Sequence, residues 1–218
     1  VAQTQRQADL LAENFGVQAF TSVNVMRPPA CVDSQRTKQR SRLLWVGRLD
    51  PAKRVEWVLE LAKENAELDF VLVGNANRSS NYASRMRARI ESLANVVHLP
   101  NMSKDSLQAE YQAAGALLST SLVEGFPNVY IEAWLQKLPV ICSYDPDQVV
   151  QKHQLGWACT DIPDFQRALS ELVSQSGAEY RALQERIYEY ALRVHSPEQA
   201  LPSLEARLVA LMNQAQQA

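Results

Sequence analysis

The sequence predicts an α/β fold, a Rossmann-like parallel sheet with helices on both faces. Two observations predict it. Apolar runs of four to six residues recur along the chain and alternate with segments of about ten residues whose apolar positions fall at helical spacing. Two of the early runs end directly on a glycine, Gly47 and Gly74, as buried strands do when they enter a turn. Strands buried on both faces need helical crossovers, and those crossovers are right-handed.

Each element follows in order. Gln3 to Asn14 reads as a helix and Ala19 to Val25 as a short strand. Pro28-Pro29 then opens a loop that leads into the polar, basic connection Asp33 to Arg42. Arg42 to Val46 is the first buried strand. Val55 to Asn65 is helical, with Val55, Val58, Leu59 and Ala62 on one face. Asp69 to Val73 is a strand, Tyr82 to Ala94 a helix and Val96 to Leu99 a strand. Ser103 to Ala114 is a helix with Ser103 as its N-cap. Ala116 to Ser119 is a strand, Asn128 to Gln136 a helix and Val140 to Ser143 a strand. Gln148 to Gln154 and Pro163 to Ser174 are helices around a short strand near Trp157, and the tail from Glu179 is helical. Ligands of open α/β sheets bind beyond the carboxyl ends of the strands. The loops of interest are therefore 47–53, 74–81, 100–104, 119–128 and 143–147.

The 218 residues suffice for one well-buried domain with flanking pieces. A formal charge of −2 excludes a nucleic-acid binder held by phosphate neutralisation. The local cluster Arg78, Arg85, Arg87 and Arg89 reads as a solvated helix face. No apolar run approaches the ~20 residues of a membrane span, and the N-terminus has no signal-peptide pattern, so a cytoplasmic location is expected. The 3 cysteines follow no CxxC or Cys/His spacing and read as small buried residues in a reducing compartment. His98, His153 and His195 stand apart from one another and read as structural or surface residues, so no metal site is predicted from them.

Two segments carry residues suited to chemistry. The loop GRLDPAKR, Gly47 to Arg54, is neither a Walker loop nor a GxGxxG turn. It does place Arg48 and Lys53 on one turn at a strand end, where a planar fork and a point charge suit a diphosphate. The same pattern fits two surface cations beside a helix start at Asp50-Pro51. The second segment is EGFPNVYIEAW, Glu124 to Trp134. Gly125 permits close backbone approach, Pro127 suits a first helical position, and the amides that follow would face an anion. Glu132 lies inside an otherwise apolar helix, where sugar hydroxyls would satisfy a carboxylate. Asn128, Glu132 and Gln136 also share the spacing of a solvent stripe, and the pattern alone fits both readings.

GRLDPAKR, EGFPNVYIEAW and the following LPVICS together resemble family 4 of the GT-B glycosyltransferases. The resemblance covers roughly residues 1–200. It rests on a Glu-x7-Glu motif matched by Glu124 and Glu132, and on an Arg and a Lys after the first strand of the donor lobe, matched by Arg48 and Lys53. It implies that Glu132 binds the ribose hydroxyls of a nucleotide, and that Glu124 with the amides of Gly125, Phe126 and Asn128 faces the donor sugar and diphosphate. Arg48 and Lys53 would stabilise the departing diphosphate in place of a metal, and backbone from Leu99 to Met102, Asn101 included, would meet the base. The implied set is thus Glu124, Arg48 and Lys53 for catalysis, with Gly47, Arg48, Lys53, Gly74, Asn101, Glu124, Gly125, Phe126, Asn128 and Glu132 for the donor. No cofactor beyond the nucleoside diphosphate sugar is implied.

One departure lies in SYDPDQVV, Ser143 to Val150, where many members have a Gly-rich turn. EGFPN followed by this turn resembles a bacterial subset that builds cell-surface polysaccharides. Its Asp145 and Asp147 form an Asp-x-Asp pair. The resemblance further implies a division of the chain. Residues 1–24 would be the tail of an N-terminal lobe, 25–196 the nucleotide-sugar-binding domain of a single C-terminal GT-B lobe, and 197–218 a helix returning toward the N-terminal lobe. That acceptor-binding lobe is the expected partner, and any peripheral membrane association would run through it. A chain that starts without Met and in mid-domain is expected to be a piece of a longer protein. A sugar-nucleotide epimerase of the same fold and a non-catalytic nucleotide-sugar-binding module are the alternative readings.

Overall fold

The computed structural model describes residues 1–29, 38–75, 81–100 and 102–215. Cys31, Arg78 and Asn101 lie outside the described residues.

Six strands form one parallel sheet: β1 (Gln39–Val46), β2 (Asp69–Val73), β3 (Val96–Leu99), β4 (Ala114–Ser119), β5 (Val140–Cys142) and β6 (Gly156–Ala158). Their spatial order is β3-β2-β1-β4-β5-β6, the order of dinucleotide-binding sheets. In-register pairs such as Leu44 with Val71 and Leu44 with Leu117 place β1 at the centre. Strand residues alternate between two apolar cores. Leu43, Trp45, Phe70 and Leu72 face α2 (Val55–Glu64), α3 (Asn81–Glu91) and α7 (Ile162–Ser174). Leu44, Val71, Val73 and Leu117 face α4 (Lys104–Ala113), α5 (Asn128–Trp134) and α8 (Gly177–His195). Both faces of the sheet are therefore covered, which is what makes its strands apolar throughout rather than alternating.

The predicted elements fall within a few residues of the observed ones, with two differences. β1 begins at Gln39 rather than Arg42, because Gln39 pairs with Ala114 across an irregular register. Ala19 to Val25 does not form a strand. Its one ladder contact is an isolated bridge from Thr21 to Ala2, and Val23 and Val25 are exposed. An apolar alternation becomes a strand only when a sheet edge is there to receive it, and this segment meets only Ala2, ahead of α1 (Gln5–Phe15).

Cap chemistry explains the helix ends. Thr4, Ser103 and Asp161 each accept an amide of the first turn, and Ser176 with Glu179 makes a reciprocal capping box. Gly16 closes α1 in the left-handed region. Helix α9 (Pro197–Ala215) packs on α8 but leaves Leu208, Val209, Leu211 and Met212 exposed. No helix among the described residues is long and apolar enough to cross a membrane. Cys142 and Cys159 are free and buried, and burial pushes both thiols up, Cys159 to about 12. Arg85 and Arg89 lie on the exposed side of α3, while Arg87 is half-buried.

Candidate functional site

At the centre of the sheet, β1 leads into α2 on one face and β4 leads into α5 on the other. The two connecting loops lie together beyond the carboxyl ends of β1 and β4. In sheets of this topology that switch point is where ligands bind. Arg48, Lys53, Glu124 and Asn128 all lie on these two loops or at the start of α5.

The first loop is shaped by its own sequence. Asp50 caps a single 3-10 turn over Pro51–Lys53, accepting from the Ala52 amide at 3.0 Å. Arg54 then takes φ 46° and ψ 50°, a left-handed conformation that costs a non-glycine residue strain. What holds it there is its side chain. The guanidinium donates to Thr120 O at 2.8 Å, Ser121 O at 3.3 Å and Ser143 Oγ at 2.7 Å, and it stacks 3.8 Å from the Trp57 ring centroid. Arg54 thus ties the loop after β1 to the loops after β4 and β5. Thr120 Oγ1 donates to Lys53 O at 2.6 Å, and the Leu122 amide donates to Ala52 O at 2.8 Å, which closes the same joint. Sequence reading passed over Arg54. Its only signal was an Arg directly after the loop lysine, and an arginine does not advertise a left-handed backbone.

Lys53 emerges from this frame and forms an ion pair with Glu124. The pair is partly open to solvent, with side-chain exposures of 26% and 19%. Arg48 is exposed and makes no ion pair among the described residues. Among the described residues, Lys53 is thus paired with a carboxylate and Arg48 is not.

The two glycines at the strand ends contribute close approach. Gly74 has φ 140°, and a Cβ there would sit 1.8 Å from Gly47 O. The Gly47 amide donates to Val73 O at 2.9 Å and the Gly74 amide to Leu99 O at 3.1 Å, so both N–H groups are engaged within the sheet ends. His98 Nε2 lies 2.9 Å from Gly74 O and braces the same corner.

Pro127 is the N-cap of α5 rather than its first helical residue, and Asn128 starts the helix. The preceding Gly125–Phe126 segment is covered by the N-terminal part of the chain. Gln3 Oε1 accepts from the Phe126 amide at 3.2 Å, and Asn24 Nδ2 donates to Phe126 O at 3.2 Å and to Asn128 Oδ1 at 2.8 Å. A ligand that takes the Phe126 amide must displace Gln3. Asp147 anchors the same segment by accepting from the Gln5 amide at 2.7 Å and the Arg6 amide at 3.2 Å. Asp145 instead accepts from the Val150 and Gln151 amides at 2.8 and 3.0 Å, in the first turn of α6 (Val149–Lys152). Both carboxylates of the Asp-x-Asp pair are thus held by backbone N–H donors. His195 completes the clamp. It joins the segment leading to Met26 through Asn24 O at 2.8 Å from Nδ1, packs on the Phe126 and Trp134 rings, and its burial lowers its pKa, keeping it neutral. The contacts of Gln3 and Asn24 with Phe126, of Asp147 with Gln5 and Arg6, and of His195 with Asn24 had no local sequence signal, because each joins residues more than 100 positions apart.

The stripe Asn128, Glu132, Gln136 is not a solvent face. Asn128 is exposed, Glu132 is half-buried and Gln136 is buried. Tyr111 Oη donates to Glu132 Oε2 at 2.7 Å. Burial, and then the Glu132 charge, push the Tyr111 phenol well above its ordinary value, so it stays protonated and remains a donor. Glu132 lines a cavity between α4 and α5, and its second oxygen has no protein partner among the described residues.

The family model described as "Glycosyl transferases group 1" matches residues 40–175. No curated protein matches the chain in sequence. Among solved structures, the pneumococcal O-GlcNAc transferase GtfA in complex with UDP and GlcNAc is 19% identical with a TM-score of 0.70 over 96% of this chain and 44% of its own. TarM of S. aureus, in a complex that includes UDP, is 20% identical with a TM-score of 0.78 over 94% of this chain and 42% of its own. HepE of Anabaena, in complex with UDP and glucose, is 15% identical with a TM-score of 0.78 over 96% of this chain and 62% of its own. At these identities the likeness is one of fold, and the chain spans 42 to 62% of the length of these proteins.

Proposed function

The chain belongs to the group 1 glycosyl transferases, and from that premise we propose that it is the nucleotide-sugar-binding half of a retaining, metal-independent transferase. One observation supports the reading: Lys53 pairs with Glu124 between the loops after β1 and β4, at the strand ends where sheets of this order bind ligands. Glu132 takes the ribose hydroxyls, with Tyr111 holding one of its oxygens and leaving the other to the ligand. Glu124 and the Gly125–Asn128 segment face the sugar and diphosphate. Arg48 and Lys53 stabilise the charge that develops on the leaving diphosphate, the role a divalent cation has in other transferases. Lys53 moves from Glu124 to the phosphate as the donor arrives, which frees the carboxylate for the sugar. The solved structures of similar fold that hold UDP support a nucleoside diphosphate as the ligand.

A second lobe supplies the acceptor site. Phe15 and Val17 at the end of α1 and Val209 and Met212 on α9 are at least half exposed, apolar surface that such a lobe would cover. Segment 1–24 and α9 would meet it. The reaction class that fits is transfer of a hexose from a nucleoside diphosphate sugar to a glycan or lipid-linked acceptor.

Glu132→Ala tests the nucleotide site. Hydrogen bonds to a charged acceptor contribute about 1.5–3 kcal/mol, so ribonucleoside diphosphates should bind roughly ten- to hundredfold more weakly. Their 2′,3′-dideoxy analogues should bind wild type and variant alike. Unchanged ribonucleotide affinity in calorimetry would remove Glu132 from the site.

A further inference from the structure

Arg54 stands where the backbone favours a different residue. It closes the 3-10 turn Pro51–Lys53 and is at the same time the N-cap of α2, with φ 46°. Glycine or asparagine takes that conformation with least strain, and asparagine would also cap the helix. The arginine does neither: no side chain caps α2, and the Val55 amide donates to Tyr82 Oη at 3.1 Å. A residue that departs from two local preferences at once marks a place where the side chain is what matters.

That side chain is directed at the frame of the site and not at a charge. The guanidinium donates to neutral oxygens on Thr120, Ser121 and Ser143, and it makes no ion pair among the described residues. Thr120 and Ser121 are buried, and Ser143 Oγ donates onward to Ser121 O at 2.9 Å. Lys53 directly precedes the arginine, and Glu124 follows Ser121 by three residues. One guanidinium therefore ties both members of the Lys53–Glu124 pair to the ends of β4 and β5. A lysine stem is long and flexible, so where its ammonium reaches depends on how firmly its backbone is held. We propose that Arg54 is a positioning residue, which holds Lys53 where its ammonium meets the distal phosphate of the departing nucleotide. The proposal rests on the nucleotide-binding reading given above. The charge that Lys53 meets develops on that phosphate, because its bond to the sugar is the one that breaks. The effect is therefore felt by a nucleoside diphosphate and not by a monophosphate.

The test is calorimetric titration of this chain with UDP, GDP and ADP and with the matching monophosphates. Wild type should bind at least one diphosphate more tightly than its monophosphate. Lys53→Ala should weaken that diphosphate roughly tenfold or more and leave the monophosphate unchanged. Arg54→Gly, which adopts the left-handed backbone freely, should reproduce the same selective loss. Arg54→Lys should do so too, since it keeps the charge but not the planar fork. Introduced into Lys53→Ala, Arg54→Gly should lose nothing further, because residues that act as one unit are not additive. Arg54→Asn serves if the glycine variant does not fold, as asparagine also tolerates the left-handed region. Equal weakening of diphosphate and monophosphate would make Arg54 a structural residue only. Undiminished diphosphate affinity in the Arg54 variants, or a wild type that binds the two nucleotides alike, would also overturn the proposal. So would a full further loss in the Lys53→Ala background, which would show Arg54 acting on the ligand without Lys53. If Lys53→Ala loses nothing, the role of the lysine falls and this proposal with it, while nucleotide binding by wild type stands. If wild type binds none of the nucleotides, the nucleotide-binding reading itself falls.

Discussion

Given a nucleotide sugar and an acceptor, these 218 residues alone should bind the donor and transfer nothing. A two-lobe transferase gains rate by holding donor and acceptor together in a closed cleft, and orientation alone supplies about 7–11 kcal/mol of a barrier. Here the loops after β1 and β4 are partly open to solvent. Arg48 is exposed, and the Lys53–Glu124 pair is only partly shielded. A sugar bound there would face water, so slow hydrolysis is the most that should be seen. Supplying the second lobe, fused or in trans, should raise transfer on the order of 10⁵-fold or more. An NMR time course should show the product keeping the anomeric configuration of the donor. Sustained glycoside formation by this chain alone would place the acceptor site within it.

The second large effect belongs to Lys53. In the two-lobe enzyme, Lys53→Ala should lower kcat by roughly 10²–10³, the usual loss when one preorganised donor to a developing charge is removed. KM for the donor should change much less, because the interaction grows as the diphosphate departs. Folding should hardly respond. The Lys53–Glu124 pair is partly exposed at both ends, and pairs of that kind contribute about 0–1 kcal/mol. Arg48→Ala should follow the same pattern, since Arg48 is exposed and has no ion-pair partner among the described residues to lose. A Lys53→Ala enzyme that turns over at close to the wild-type rate would reduce the lysine to a partner for Glu124.

The parts of this site that were legible in the sequence are those governed by local periodicity. Apolar runs closed by Gly47 and Gly74 marked β1 and β2, and the strand-end rule then pointed to the loops after β1 and β4. Ser103 marked the start of α4 because capping is decided within one turn. Three features were not legible, each for a physical reason. Arg54 adopts a backbone conformation that only its contacts to Thr120, Ser121, Ser143 and Trp57 make tolerable, and those contacts are tertiary. Gln3 and Asn24 reach Phe126 across more than a hundred residues, a distance over which no sequence pattern is informative. The spacing of Glu132 and Gln136 is the same for a solvent stripe and for a cavity wall, and only the packing of α4 against α5 distinguishes them. Ala19 to Val25 shows the converse error, a strand pattern with no sheet edge to join.

The central claim is that this site binds a nucleoside diphosphate with cationic side chains in place of a metal. Isothermal titration of the chain with UDP, GDP and ADP in the presence of a chelator tests it most directly. The expected result is binding of at least one of them, with a Kd on the order of micromolar to millimolar, unchanged when the chelator is replaced by magnesium or manganese. Binding that disappears with chelator and returns with either cation would contradict the claim, as would the absence of binding under both conditions.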